Sequence, residues 1–242
     1  MRAPLRLGEI TSPELAALDP KPLLLIPVGI VEEHGPHLPL DTDSIQAVAT
    51  CEAAAPRLGA LVAPLLAYGN CSATRGFPGS FSLSFDALRA VARDVLADCA
   101  RHGLRRVALV SGHAGGAHMR ALKLAAEEAI ERHPELEVHV LCDYELLDDF
   151  DPKAAADADV PRWDGHAGAI ETSRMLALRP DLVRAGARAH RPDFPPFQVL
   201  SPAQARGLFP DGVMGDPTLA SERLGRAANA HIVDALVRIL RT

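Results

Sequence analysis

Cysteine is scarce here: four residues in 242, at positions 51, 71, 99 and 142, with no CxxC pair among them. That spacing supports neither a zinc knuckle nor a disulfide framework, and a reducing cytoplasm is the simplest setting. Basic charge is also in deficit. The chain carries 25 Lys and Arg against 31 Asp and Glu, a net charge of -6, and its basic residues are scattered in short pairs such as Arg105-Arg106. Without a basic stripe interleaved with aromatics, nucleic acid and anionic membrane surfaces are excluded as expected partners. No apolar run approaches the roughly 20 residues needed to span a bilayer. The charges at Arg2, Arg6, Glu9, Glu14 and Lys21 are unlike a signal peptide. Aromatics are few, with Trp163 the only tryptophan.

What is present is an alternation of apolar runs and amphipathic stretches, the pattern of strands joined by helical crossovers. Strands are expected at Leu23 to Gly29, Leu61 to Leu66, Arg106 to Ser111 and Glu137 to Cys142. Helices are expected from Asp43 to Leu58, from Asp86 as cap to near Gly103, and over Ala117 to Arg132, Ala167 to Leu178 and Glu222 to Arg241. The stretches Tyr68 to Phe81, Asp148 to Trp163 and Pro192 to Phe209 are punctuated by Gly or Pro and read as loops. A length of 242 residues suits one α/β domain spanning 1–242, and no linker divides it.

The densest chemistry follows the first strand, in Val28-Gly29-Ile30-Val31-Glu32-Glu33-His34-Gly35-Pro36-His37-Leu38-Pro39-Leu40-Asp41-Thr42-Asp43. Histidines and carboxylates packed so closely at a strand end are costly unless a cation lies among them, and they are the ligand types of zinc, manganese or iron(II); a surface loop rich in charge is the other reading. His113, in Ser111-Gly112-His113-Ala114-Gly115-Gly116, leaves a second strand end, where parallel sheets gather functional groups. A hydrogen-bonded turn residue is the other reading of His113. A third segment runs from Asp164 through His166 to Glu171, Thr172 and Ser173, where Asp164 reads as a helix cap and Glu171 as favouring the positive helix end. The fourth, Gly212 to Pro217, reads as a turn with Asp216 as cap. Arg75 is either an anion contact or a solvent-facing side chain.

Together these segments resemble the creatininase family of creatinine amidohydrolase-like proteins. The opening signature stands from Pro27 to Asp43. A second stands at Phe77-Pro78-Gly79-Ser80-Phe81-Ser82-Leu83, a third at Ser111 to Gly116, a fourth unchanged at His166 to Ser173, and a fifth at Gly212 to Pro217. The resemblance covers roughly Glu9 to Gly225 and implies a three-layer α/β/α fold with a mostly parallel sheet. It implies two divalent ions per chain, with Glu32 and His113 on one, His34 on the other and Asp43 bridging. Gly115 stands where creatinine-hydrolysing members carry a further glutamate, so Glu171 or water is expected to complete the second site. His166 and Glu171 are the expected proton-transfer or orienting groups. The implied reaction is hydrolysis of a C–N bond in a small cyclic amide, formamide or short peptide by metal-activated water. The departures at Ser111, Ala114 and Gly116 also admit a catalytically silent binding protein that retains the fold. Phosphoester hydrolysis ranks low, for want of a phosphate-cradling loop. A homo-oligomer, often a hexamer, is implied too, with Phe194, Phe197 and Leu200 as contact candidates.

Overall fold

The computed structural model describes residues 5–241. Five strands, β1 (Leu5–Arg6), β2 (Leu24–Val28), β3 (Leu61–Val62), β4 (Arg106–Ser111) and β5 (Glu137–Cys142), form a sheet in the order β1-β3-β2-β4-β5. Every adjacent pair runs parallel. The central strands β2 and β4 pair from Leu24↔Val107 through Val28↔Ser111, so both end at the same level.

The apolar run of β2 is buried throughout because helices cover both faces of the sheet, as continuous rather than alternating hydrophobicity requires. Leu24, Ile26, Val107 and Leu109 face α3 (Phe85–Arg101) and α4 (Gly116–Arg132). Leu25, Ala108 and Val110 face α2 (Thr42–Leu58) and the terminal helix α8 (Glu222–Leu240). The result is the three-layer α/β/α architecture expected. Helix α3 presents Leu88, Ala92, Leu96 and Cys99 to the core at helical spacing. Truncating a fully buried member such as Leu96 to alanine costs about 2–5 kcal/mol. A further helix, α6 (Ala169–Leu178), packs on α8 and α2. All four cysteines are buried and unbridged. Among the described residues, no helix is long and apolar enough to cross a membrane.

Several expectations are corrected. Strand β3 stops at Val62 rather than Leu66, because Pro64 has no N–H for the ladder. Pairing resumes only as a bridge between Val28 and Leu66. Ser84, not Asp86, caps α3, its hydroxyl accepting from the Ala87 N–H. Asp216 caps a short 3-10 turn, Pro217–Leu219, while Ser221 caps α8. The Pro-punctuated loops contain helices: α5 (Pro152–Ala156) lies within Asp148 to Trp163, and α7 (Pro202–Leu208) within Pro192 to Phe209. Another, α1 (Ser12–Ala17), precedes β2. All three carry proline in the first helical turn, where its missing N–H costs nothing.

Candidate metal centre

Two neighbouring strand ends and two helix starts bring the polar cluster together. After β2 the chain loops through Glu32 and His34 before entering α2, whose first turn carries Asp43. After β4, the Gly112 N–H donates to the Val28 carbonyl at 3.0 Å, turning His113 toward that loop. A side chain at Gly112 would place its Cβ 2.1 Å from the Asp43 carbonyl oxygen. Only glycine allows this approach of β4 to α2. Glu171 enters from the first turn of α6. Glu32, His34, Asp43, His113 and Glu171 are all buried.

These side chains form two triads sharing one carboxylate. On one side, His113 Nδ1 lies 2.9 Å from Glu32 Oε2 and 3.2 Å from Asp43 Oδ2. On the other, His34 Nε2 lies 3.2 Å from Asp43 Oδ1 and 3.6 Å from Glu171 Oε1. Within each triad the donor atoms lie within 4.8 Å of one another. A third grouping, Glu32, His34 and His166, overlaps both but lacks Asp43.

The outer hydrogen bonds settle which imidazole nitrogens face inward. His34 Nδ1–H donates to the Glu32 carbonyl at 3.1 Å, and His113 Nε2–H donates to the Asn70 carbonyl at 3.2 Å. Carbonyl oxygens can only accept, so each ring turns its other nitrogen toward carboxylates. Glu32 Oε2 and Asp43 Oδ2 are buried and make no hydrogen bond. Two inward imidazole nitrogens set against orphaned carboxylate oxygens need a cation between them, either a proton on each ring or a metal ion. The nitrogen and oxygen donors fit zinc, manganese or iron(II). Without metal, protonation is the resolution: burial pulls the pKa of His34 and His113 down, but the facing carboxylates outweigh it and raise both well above the ordinary value. Burial likewise works against ionised Asp43 and Glu171, yet the histidines hold Asp43 far below the usual range and Glu171 at about 2.

His166 borders the same cleft. Its Nε2–H donates to the Glu33 carbonyl at 2.8 Å, and its ring centroid lies 4.4 Å from that of His34. Gly168, not Asp164, is the cap residue of α6, but the Asp164 carboxylate reaches over to accept from the Ala169 and Ile170 N–H groups, and also from Asp216 N–H. His37, despite its place in the opening segment, hydrogen-bonds Thr172 Oγ1 instead of joining either triad. Arg75 is exposed and does not line the cleft.

Sequence reasoning missed the supporting shell. Thr74 donates a short hydrogen bond to Glu32 Oε1. The Tyr144 hydroxyl reaches Glu171 Oε1 at 3.1 Å, and the Ala167 N–H reaches Glu171 Oε2 at 2.5 Å. Tyr144 stands just after β5, where the carboxyl-end rule points; Thr74 had no comparable signal. Above the triads lies a cavity of about 350 Å³, walled largely by small residues such as Ser72, Ala73, Gly115 and Gly116. At Gly115 an added Cβ would fall 2.4 Å from His113 Nε2, so a side chain there would have to displace the His113 ring.

Fold and site together define a parallel α/β protein with a carboxylate–imidazole centre at the carboxyl edge of its sheet. The family profile described as creatininase, creatinine amidohydrolase, matches residues 8–240. A creatinine amidohydrolase of Pseudomonas putida is 33% identical, aligned over 83% of this chain and 82% of its own length. A mycofactocin precursor peptide peptidase of Mycobacterium tuberculosis (strain CDC 1551 / Oshkosh) is 34% identical, aligned over 96% and 89%. Among solved structures, a Zn-Zn type creatininase variant superposes with TM-score 0.89 at 29% identity, covering 99% of this chain and 98% of that one. A manganese creatininase gives TM-score 0.89 at 28% identity, covering 98% of each. The chain belongs to the creatininase family. It is accordingly an amidohydrolase, an enzyme acting on carbon–nitrogen amide bonds.

Proposed function

We propose that the protein hydrolyses a C–N bond in a small cyclic amide, a formamide or a short peptide, using two divalent ions held by the paired triads. The observation that carries this reading is the division of Asp43: one oxygen faces His34 and the other faces His113, each ring presenting its free nitrogen. Glu32, Asp43 and His113 would hold one ion, and His34, Asp43 and Glu171 the other. When bound, such ions acidify a water and polarise an amide carbonyl.

The chain's own residues then divide the remaining work. Glu171 receives hydrogen bonds on both oxygens and is held ionised. A carboxylate so committed serves better as ligand than as proton donor. His166 keeps Nδ1 uncommitted while Glu33 fixes its ring, so His166 is the group that protonates the departing nitrogen, a contribution of roughly 10²–10⁴-fold. Small cavity walls leave room for a substrate beyond a single ring, consistent with relatives named for creatinine and for a precursor peptide.

Metal analysis of His113→Ala tests the assignment. The variant should lose bound metal and turnover while keeping its circular dichroism spectrum; survival of both would overturn it. A screen of metal-loaded protein against creatinine, formylaminopyrimidines, lactams and short peptides separates the substrate classes. A homo-oligomer completes the reading, with the contact at Phe194 (41% exposed) and Phe197 (106%); Leu200, expected as the third contact, is half-buried, and its neighbour Val199 (95%) is exposed instead. Light scattering that gave a clean monomer at micromolar concentration would remove it.

A further inference from the structure

One buried histidine lies outside both triads yet contacts the Asn70 backbone and Ser111, the groups that hold His113. His118, in the first turn of α4, is fully buried. Its Nδ1 accepts the Asn70 N–H at 3.2 Å, and its Nε2–H donates to Ser111 Oγ at 3.1 Å. Ser111 Oγ also accepts the His113 N–H at 3.0 Å and donates to the His113 carbonyl at 2.9 Å. Both His118 nitrogens and the Ser111 hydroxyl are therefore satisfied in a single tautomer. The ring packs edge-on to His113 at 5.0 Å between centroids. Gly69 presses so closely that a Cβ there would lie 2.6 Å from the His118 ring.

The segment from Asn70 to Thr74, whose first N–H His118 accepts and which is also tied to Leu83 and Ser82, touches two ligands of the same triad. The Asn70 carbonyl orients His113, and the Thr74 hydroxyl holds Glu32. His34 and Glu171 are oriented by other groups: the Glu32 carbonyl, Tyr144 and the Ala167 N–H. The two ion positions share Asp43, and the Glu32 backbone also orients His34, but the 70–74 segment itself contacts ligands of the His113 triad only.

We propose that His118 is a positioning residue for one ion only, clamping segment 70–74 so that His113 and Glu32 face the Asp43 oxygen between them. It touches neither substrate nor ion and acts through the Asn70 backbone. The inference rests on the metal-centre reading above and deepens it. Hydrogen-bonding partners of metal ligands are typically worth about 10–100-fold in affinity.

The test is competition between the protein and a chelator for Zn(II), without substrate, in wild type, His118→Leu and His118→Asn. Wild type should hold two ions. The leucine variant should hold one ion as wild type does and the other about 10–100-fold more weakly. Asparagine, whose side-chain oxygen can still accept the Asn70 N–H, should recover most of that loss. Equal loosening of both ions, or no loosening, in the leucine variant would overturn the proposal. So would failure of asparagine to recover affinity. If the leucine variant does not fold, the Asn70 amide resonance of wild type decides: it should shift on binding one Zn(II) and stay still for the other. A resonance that ignores both, or follows both equally, overturns the proposal. A wild type that binds no Zn(II) refutes the metal centre itself, a result distinct from these.

Discussion

Replacing Glu171 with glutamine is the perturbation whose size the structure sets most closely. The carboxylate is buried against the His34 ring, with the Tyr144 hydroxyl and the Ala167 N–H donating to its two oxygens. Burial pushes its pKa up, but His34, in charge and hydrogen bond, brings it from 4.5 down to about 2. At roughly 1.4 kcal/mol per tenfold, that difference is worth about 3 kcal/mol to the metal-free fold. A depressed carboxylate contributes this stability above the unfolded pKa and loses it as pH falls through the folded value. Glutamine keeps the shape but removes the charge, and turns an NH2 group toward one of two donors. For a chain of this length, about 2–4 °C per kcal/mol gives a melting temperature roughly 6–12 °C lower at pH 6. The assay is thermal unfolding by circular dichroism in EDTA at pH 6 and again toward pH 3, where the gap from wild type should narrow. In metal-loaded protein the same variant should weaken one ion and spare the other. A variant that melted with wild type at pH 6 and held both ions as tightly would refute the reasoning.

Two other outcomes follow from the same electrostatics. Because His34 and His113 have raised folded pKa values, their contribution is present below the unfolded value of about 6.5 and is lost as pH rises toward the folded values. The metal-free protein should therefore melt higher at pH 6 than at pH 8, while Zn(II) affinity rises over the same window; a flat melting profile would count against the protonated pair. Behind Tyr144, whose ring Arg174 overlies at 5.2 Å, Arg174 and Asp143 form a fully buried ion pair at 2.6 Å. Arg174→Met should cost about 3–5 kcal/mol by stranding Asp143, and adding Asp143→Leu should recover most of it; chemical denaturation measures both.

The helices that sequence reading overlooked were signalled by capping rather than by periodicity. Thr11 and Glu14 form a capping box ahead of α1, and Ser201 with Gln204 forms another ahead of α7. Asp151 caps α5. Proline follows Asp151 and Ser201 directly and stands one residue further on, at Pro13, after Thr11; in the two loop stretches it reads as a break, although proline in a first helical turn marks a start. These helices are too short for a hydrophobic stripe to show. The central strands were legible because burial on both faces leaves an uninterrupted apolar run. Glu32, His34, Asp43, His113 and Glu171 were legible as residues because they stand at strand ends and helix starts. Their division into two triads was implied by the family resemblance and not by the residues alone, since it depends on which oxygen of Asp43 faces which ring. Tyr144, Thr74 and His118 were hidden for the same reason: they act through single atoms brought in from distant segments.

Crystals grown with Zn(II) and measured across the zinc absorption edge address the central claim most directly. Two anomalous peaks per chain are expected, one beside each carboxylate oxygen of Asp43, with His34 on one and His113 on the other. A single peak, or peaks that leave either histidine unligated, would contradict the account.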